Sequence, residues 1–233
     1  MSKVDVKFSE WIQQGFNLFK ENMVTLILVN LLAIVISAST FGILGGPMYA
    51  GVILVTLGLL DKKQPKPEVG EVFEGFNYFL QAFLFYICIH AVILVLDFIL
   101  FPRIGTITST GCINILTLMR MLVRALRALV ILKLVGFVIM TPVMFGLFLI
   151  VDKRMDFWPA AKMSYEKVKE NFWPLLGLFI VASILGQIGV ILCCIGVFVT
   201  APIMSCILAV AYRAVFSQTE TPTAPPPAPA PNP

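Results

Sequence analysis

The chain has 233 residues, 59% of them hydrophobic and 13% charged, with a formal net charge of +4 and a mean hydropathy of +0.94. Soluble domains are about half apolar and about a quarter charged, so a single water-soluble core cannot absorb this surface and lipid must cover it. The small positive excess gathers at the ends of apolar runs, which fits a membrane face better than nucleic acid.

The first 22 residues are amphipathic and charged, without the apolar core and small-residue site of a cleavable leader. Phe8, Trp11, Ile12, Phe16 and Phe19 recur at helical spacing while Lys7, Glu10, Gln14 and Asn17 take other faces. That pattern predicts a helix lying in the membrane interface. Residues 23–60 contain no charge. One span needs about 20 apolar residues, so this run predicts two, 23–40 and 43–60. A second interfacial helix is expected from Val69, Val72, Phe73, Phe76 and Phe79, followed by a span at 79–101. Spans at 134–151, 172–193 and 197–216 complete the set, with a third interfacial helix carrying Trp158, Ala161, Tyr165 and Val168. Trp158 and Trp173 are expected to anchor at the interface. Residues 218–233 are rich in proline and alanine and should form a disordered tail.

The expected fold is therefore an all-α integral membrane protein, a single domain over 1–217, with about six transmembrane helices. They form three repeated pairs, each preceded by an amphipathic interfacial helix. The repeat is explicit in Gly15-Phe16-Asn17, Gly75-Phe76-Asn77 and Ser164-Tyr165-Glu166, and again in Gly46-Pro47, Thr141-Pro142 and Ala201-Pro202. Phe16 to Pro47 is 31 residues and Tyr165 to Pro202 is 37, but Phe76 to Pro142 is 66. The middle unit carries an insert at about 103–132. Twelve of the 17 Lys and Arg residues fall on one side of this scheme, which places both termini in the cytoplasm of a prokaryotic inner membrane.

The insert holds a polar stretch from Gly105 to Gly111 and then an expected helix at about 112–132. Arg120, Arg124 and Arg127 recur at i, i+4 and i+7, a stripe about 60° wide on that helix. No acidic residue lies between Phe98 and Val151. The stripe can lie flat among headgroups, can extend the fourth span toward an anion path, or can mark an extra span. His90 and Asp97 are ionisable residues in an expected span, seven positions apart and so nearly on one face. They are candidates for a proton path or for structural pairing. Lys133 continues the same polar set. Asp61-Lys62-Lys63 and Asp152-Lys153-Arg154 end two spans in the same way and read as interface stops.

No nucleophile–base set, paired carboxylates or phosphate-cradling glycine loop is present. The five cysteines and the lone histidine do not have metal-ligand spacing, so no enzyme activity, metal or cofactor is expected. The three interfacial elements, with Trp11, Phe16, Phe76, Trp158, Tyr165 and Trp173, are either docking surfaces for lipid or a partner, or elbows that aim the next span.

The stretch Pro159-Ala160-Ala161-Lys162-Met163-Ser164-Tyr165, continuing through Lys169-Glu170-Asn171-Phe172-Trp173-Pro174-Leu175-Leu176, resembles an element of bacterial and archaeal multi-span membrane proteins of unknown function. Those proteins are related to the membrane domain of some glycerophosphodiester phosphodiesterases, and Gly46-Pro47-Met48-Tyr49-Ala50-Gly51 resembles their turn into the next span. The resemblance implies a six-span prokaryotic membrane protein, with no catalytic domain to supply the phosphodiesterase reaction. The function expected is that of a non-enzymatic accessory, scaffold or lipid-interacting protein, with membrane lipid and a further membrane protein or second copy as partners. Two alternatives stand: a transporter or channel using His90, Asp97 and the arginine stripe, and a lipid-acting membrane enzyme.

Overall fold

The computed structural model describes residues 7–100, 115–191 and 196–217, and every regular element among them is helical. In chain order these are α1 (Phe8–Glu21), α2 (Met23–Ser39), α3 (Gly45–Leu60), a 3₁₀ segment (Val69–Tyr78), α4 (Phe79–Leu100) and α5 (Ile115–Met140). A short 3₁₀ turn (Thr141–Val143) leads to α6 (Gly146–Lys153), followed by α7 (Phe157–Glu170), α8 (Phe172–Ile191) and α9 (Val197–Ser217).

Two junctions bend sharply and alike. α1 turns into α2 by 91°, and α7 turns into α8 by 107°. Each bend falls on a buried asparagine in nearly the same conformation, Asn22 at φ −129°, ψ 26° and Asn171 at φ −128°, ψ 38°. Asparagine tolerates such non-helical angles, and its amide can replace a lost backbone bond. Asn22 Nδ2 does so by donating to the Leu18 carbonyl at 3.1 Å.

The second elbow is built differently from the expected amphipathic α-helix. Val69–Tyr78 is a 3₁₀ segment that runs into α4 without a sharp bend, and Val69–Leu96 forms one apolar helical stretch of 28 residues. At three residues per turn, side chains three apart eclipse. Val69, Val72, Gly75 and Tyr78 thus share one stripe, facing inward, with Val72 and Gly75 buried. Phe73, Phe76 and Phe79 take the next stripe, outward, where they stack at 6.5 and 6.3 Å between ring centroids.

The core is made by the returning helices α3, α6 and α9. Twelve of the 16 residues of α3 are buried, as are six of the eight of α6. Phe145 and Phe148 meet Tyr212 at 6.0 and 5.2 Å, and Phe145 meets Phe216 at 5.8 Å. Each elbow seats on a returning helix contributed by a different part of the chain. The 3₁₀ segment lies on α3, where a Cβ on Gly75 would overlap the Pro47 carbonyl and one on Gly51 would overlap that of Val72. α7 lies on the Thr141–Val143 turn, and Ser164 Oγ donates to the Pro142 carbonyl at 2.8 Å. α1 lies on α9, with Gly15 so close that a Cβ would come within 2.8 Å of Ile207 Cα.

Among the described residues, three helical stretches are long and apolar enough to cross a membrane, or up to five if each bent pair counts as one span. α3 is apolar but has only 16 residues, about 24 Å at 1.5 Å per residue against about 30 Å of hydrocarbon. The expected boundary between an insert helix at 112–132 and a span at 134–151 is absent. One helix runs from Ile115 to Met140 and breaks at Thr141-Pro142, where proline removes a donor, and the apolar stretch resumes through Lys153. Pro47 stands in the first turn of α3, whereas Pro202 is inside α9. The polar stretch 105–111 and the tail 218–233 lie outside the described residues.

Candidate functional site

The ends of the three returning helices converge on one ionic cluster. Asp61 follows the last turn of α3 and Asp152 stands in the last turn of α6. A carboxylate at a helix C-terminus faces the negative end of the helix dipole, so each needs a cation. Arg213, near the end of α9, serves both. Its Nε and Nη2 donate to the two oxygens of Asp61 at 3.1 and 2.5 Å, and its Nη1 donates to Asp152 Oδ2 at 2.8 Å. Tyr212 donates its hydroxyl to the same Asp152 oxygen at 2.7 Å. The cluster is half-open, the Arg213 side chain being 32% exposed.

Beside it, at the same end of the bundle, lies a polar cavity of about 370 Å³ between the start of α4 and the α6–α7 connection. Asn77, Tyr78, Gln81, Arg154 and Asp156 line it, with Leu80 at its edge. Gln81 builds the wall: its Nε2 donates to Asp156 Oδ1 at 2.8 Å and its Oε1 accepts from the Phe157 N–H at 2.8 Å. Arg154 adopts a left-handed backbone, φ 50°, which projects its exposed side chain from the turn. Among the described residues Arg154 makes no ion pair, although it shares the cavity with Asp156. Phe79, exposed, and Phe83, half-buried, carry the ring ladder on into α4 at 5.5 Å.

Between the helices the voids are apolar. One of about 500 Å³ is bounded by α2, α3, α4 and α9, with Asn30, Tyr49, Tyr86 and Ser205 among its lining. A second, of about 370 Å³, is bounded by α4, α5, α8 and α9 and holds Lys133, Ser183 and Gln187.

Those residues singled out from sequence whose side chains are described fall in separate places. His90 is exposed; its Nδ1 lies 2.9 Å from the Tyr86 carbonyl of its own helix, and its ring packs 3.9 Å from that of Tyr86. Lys133 lines the second void, whereas Arg127 is exposed on α5. Arg120, Arg124 and Asp97 fall on α5 and α4, but their side chains lie outside the described residues. Of the elbow aromatics, Trp11 is buried between α1 and the core, while Phe16, Phe76, Trp158, Tyr165 and Trp173 are exposed.

Sequence reading found both aspartates but not what joins them. The available signal was Arg213, the sole charge in residues 172–216. A lone charge in so long an apolar run calls for a partner from another helix. Gln81, the wall of the polar cavity, gave no signal beyond being a polar residue near a span end.

The class that these features define is a helical protein with several membrane-competent helices, closed at one end by an ionic cluster. No family model, curated protein or solved structure matches the chain.

Proposed function

We propose that this is a non-enzymatic, lipid-interacting scaffold or accessory protein of a prokaryotic inner membrane, with both termini cytoplasmic. In this reading three units of elbow, span and returning helix give six membrane passes in all. The matched bends at Asn22 and Asn171 and the three seams of elbow on returning helix support the repeat. α3, though short, is walled in by protein, so it can complete a pass without meeting lipid along its whole length.

The observation that carries the functional reading is where the polar and aromatic groups go. The rings of Phe145, Phe148, Tyr212 and Phe216 pack together between α6 and α9, and Arg213 pairs with the carboxylates at the helix ends. Outward, by contrast, stand Phe73, Phe76, Phe79, Trp158, Tyr165 and Trp173. Amphipathic aromatics of this kind anchor at headgroup level. Lipid is thus the first partner, and a second copy or another membrane protein the next.

Reconstitution of the purified protein into liposomes should give no protein-dependent flux of ions or small solutes. The transporter reading is favoured by one observation, Lys133 in a void with Ser183 and Gln187. Flux that disappears in Lys133→Ala would replace the scaffold reading with it. Cysteine-accessibility labelling at positions 108, 124 and 162 tests the topology: Lys162→Cys should react from the cytoplasmic side, and Thr108→Cys from the opposite side.

A further inference from the structure

We infer that the cavity between the start of α4 and the α6–α7 connection is a binding site for the headgroup of a phospholipid bearing a primary amine, of the phosphoethanolamine type. The proposal rests on the lipid-interacting reading and gives it a chemistry.

Three observations converge. The cavity holds one guanidinium and one carboxylate, Arg154 and Asp156, that are not paired with each other. Opposite charges kept apart in one recess match a ligand that carries both charges itself. Asp156 Oδ1 is occupied by the Gln81 amide, which leaves Oδ2 as the oxygen available to a ligand. A primary ammonium donates a hydrogen bond there, which a quaternary ammonium cannot do. Arg154 offers the planar donor set suited to a phosphate.

The second observation is position. The recess opens where the apolar stretch Val69–Leu96 passes its elbow and where the stretch Val130–Lys153 ends, the level at which headgroups lie. The third is what continues from it. Leu80, in the lining of the recess, is 62% exposed, and Leu84 and Ile87 continue its exposed apolar stripe at i+4 and i+7 along α4. Acyl chains have an apolar track beginning where the phosphate would be held, which favours a lipid over a soluble phosphoamine.

The test uses the purified full chain with equimolar phosphatidylethanolamine, phosphatidylcholine and phosphatidylglycerol of identical acyl chains, with retention read by native mass spectrometry. Phosphatidylethanolamine should be retained about fivefold over the other two, the factor one charge-assisted hydrogen bond supplies. Asp156→Asn, which can still accept from Gln81, should bring phosphatidylethanolamine down to the phosphatidylcholine level and leave the latter unchanged. Arg154→Gly should lower retention of all three. Glycine favours the φ of this position, so its thermal unfolding temperature should hold or rise, and the loss cannot be assigned to unfolding. Soluble glycerophosphoethanolamine at the same concentration should not compete.

Equal retention of the ethanolamine and choline lipids, preference for the glycerol lipid, or an ethanolamine preference that survives Asp156→Asn would each overturn the site. Competition by the soluble headgroup would overturn its assignment to lipid. Liposome flux decides the scaffold reading separately, because a transporter can also hold such a lipid, and a scaffold can lack this site.

Discussion

The charged end of the α3/α6/α9 core and the long helix α5 handle the same difficulty in opposite ways. Both place cations on otherwise apolar helices. At the core end Arg213 is met by Asp61 and Asp152, each at a helix terminus that needs it. On α5, Arg127 and Lys133 are exposed and carry no ion pair among the described residues. An internal ion pair fixes geometry between helices, and an unpaired cation on a lipid-facing helix waits for an anion from outside. The core end is therefore the part whose cation is held internally, while the described cations of α5 have no ion pair among the described residues.

The strongest way to break this contrast is to attack the seams that make the core possible. Gly51→Leu or Gly75→Leu drives a side chain into backbone carbonyls. Overpacking typically costs about 1–3 kcal/mol and more when backbone must yield. We expect loss of the monodisperse peak in fluorescence-detected size-exclusion chromatography; a normal elution profile would show that these seams are not tight.

Next comes Arg213→Met. It leaves two carboxylates at helix ends without a cation, and because the cluster is partly exposed the expected cost is about 1–2 kcal/mol. The unfolding temperature should fall clearly in detergent, less so for Arg213→Lys, which keeps the charge but not the fork. An unchanged temperature would mean that the cluster is decorative.

Ser164→Ala removes one bond to the Pro142 carbonyl, a loss of about 1 kcal/mol, readable in the same assay. Smallest of all, Arg127→Ala and Lys133→Ala should alter stability by less than about 0.5 kcal/mol. A large drop from either would show that these cations are held by the protein itself and would erase the contrast.

How far the sequence revealed this depended on whether the signal was local. The bends at Asn22 and Asn171 were legible because Lys-Glu-Asn precedes an apolar run at both places. Trp11 was expected at the interface, but it is buried because α9 supplies a seat that no pattern in residues 8–21 can announce. The second elbow was misjudged in period. Its apolar residues suit 3.6 per turn only roughly, while the inward stripe of Val69, Val72, Gly75 and Tyr78 fits 3.0. The continuity of α5 through Lys133 was hidden by the repeat itself, which invited a boundary where helix formers continue without a glycine or proline until Gly136. Asp61 and Asp152 were noticed as matching stops, whereas Arg213, which gives the match a purpose, was more than 60 positions from either.

The seat of α1 on α9 has a consequence for how the protein is made. Gly15 and Ile207 lie far apart in sequence, so α1 leaves the ribosome long before its seat on α9 is made. Until α9 arrives, the face of α1 bearing Trp11 has lost its lid and must rest on lipid or on a chaperone. A chain stalled or clipped before Val197 would thus expose α1, and the cell could recognise unfinished copies by that helix rather than by the missing α9.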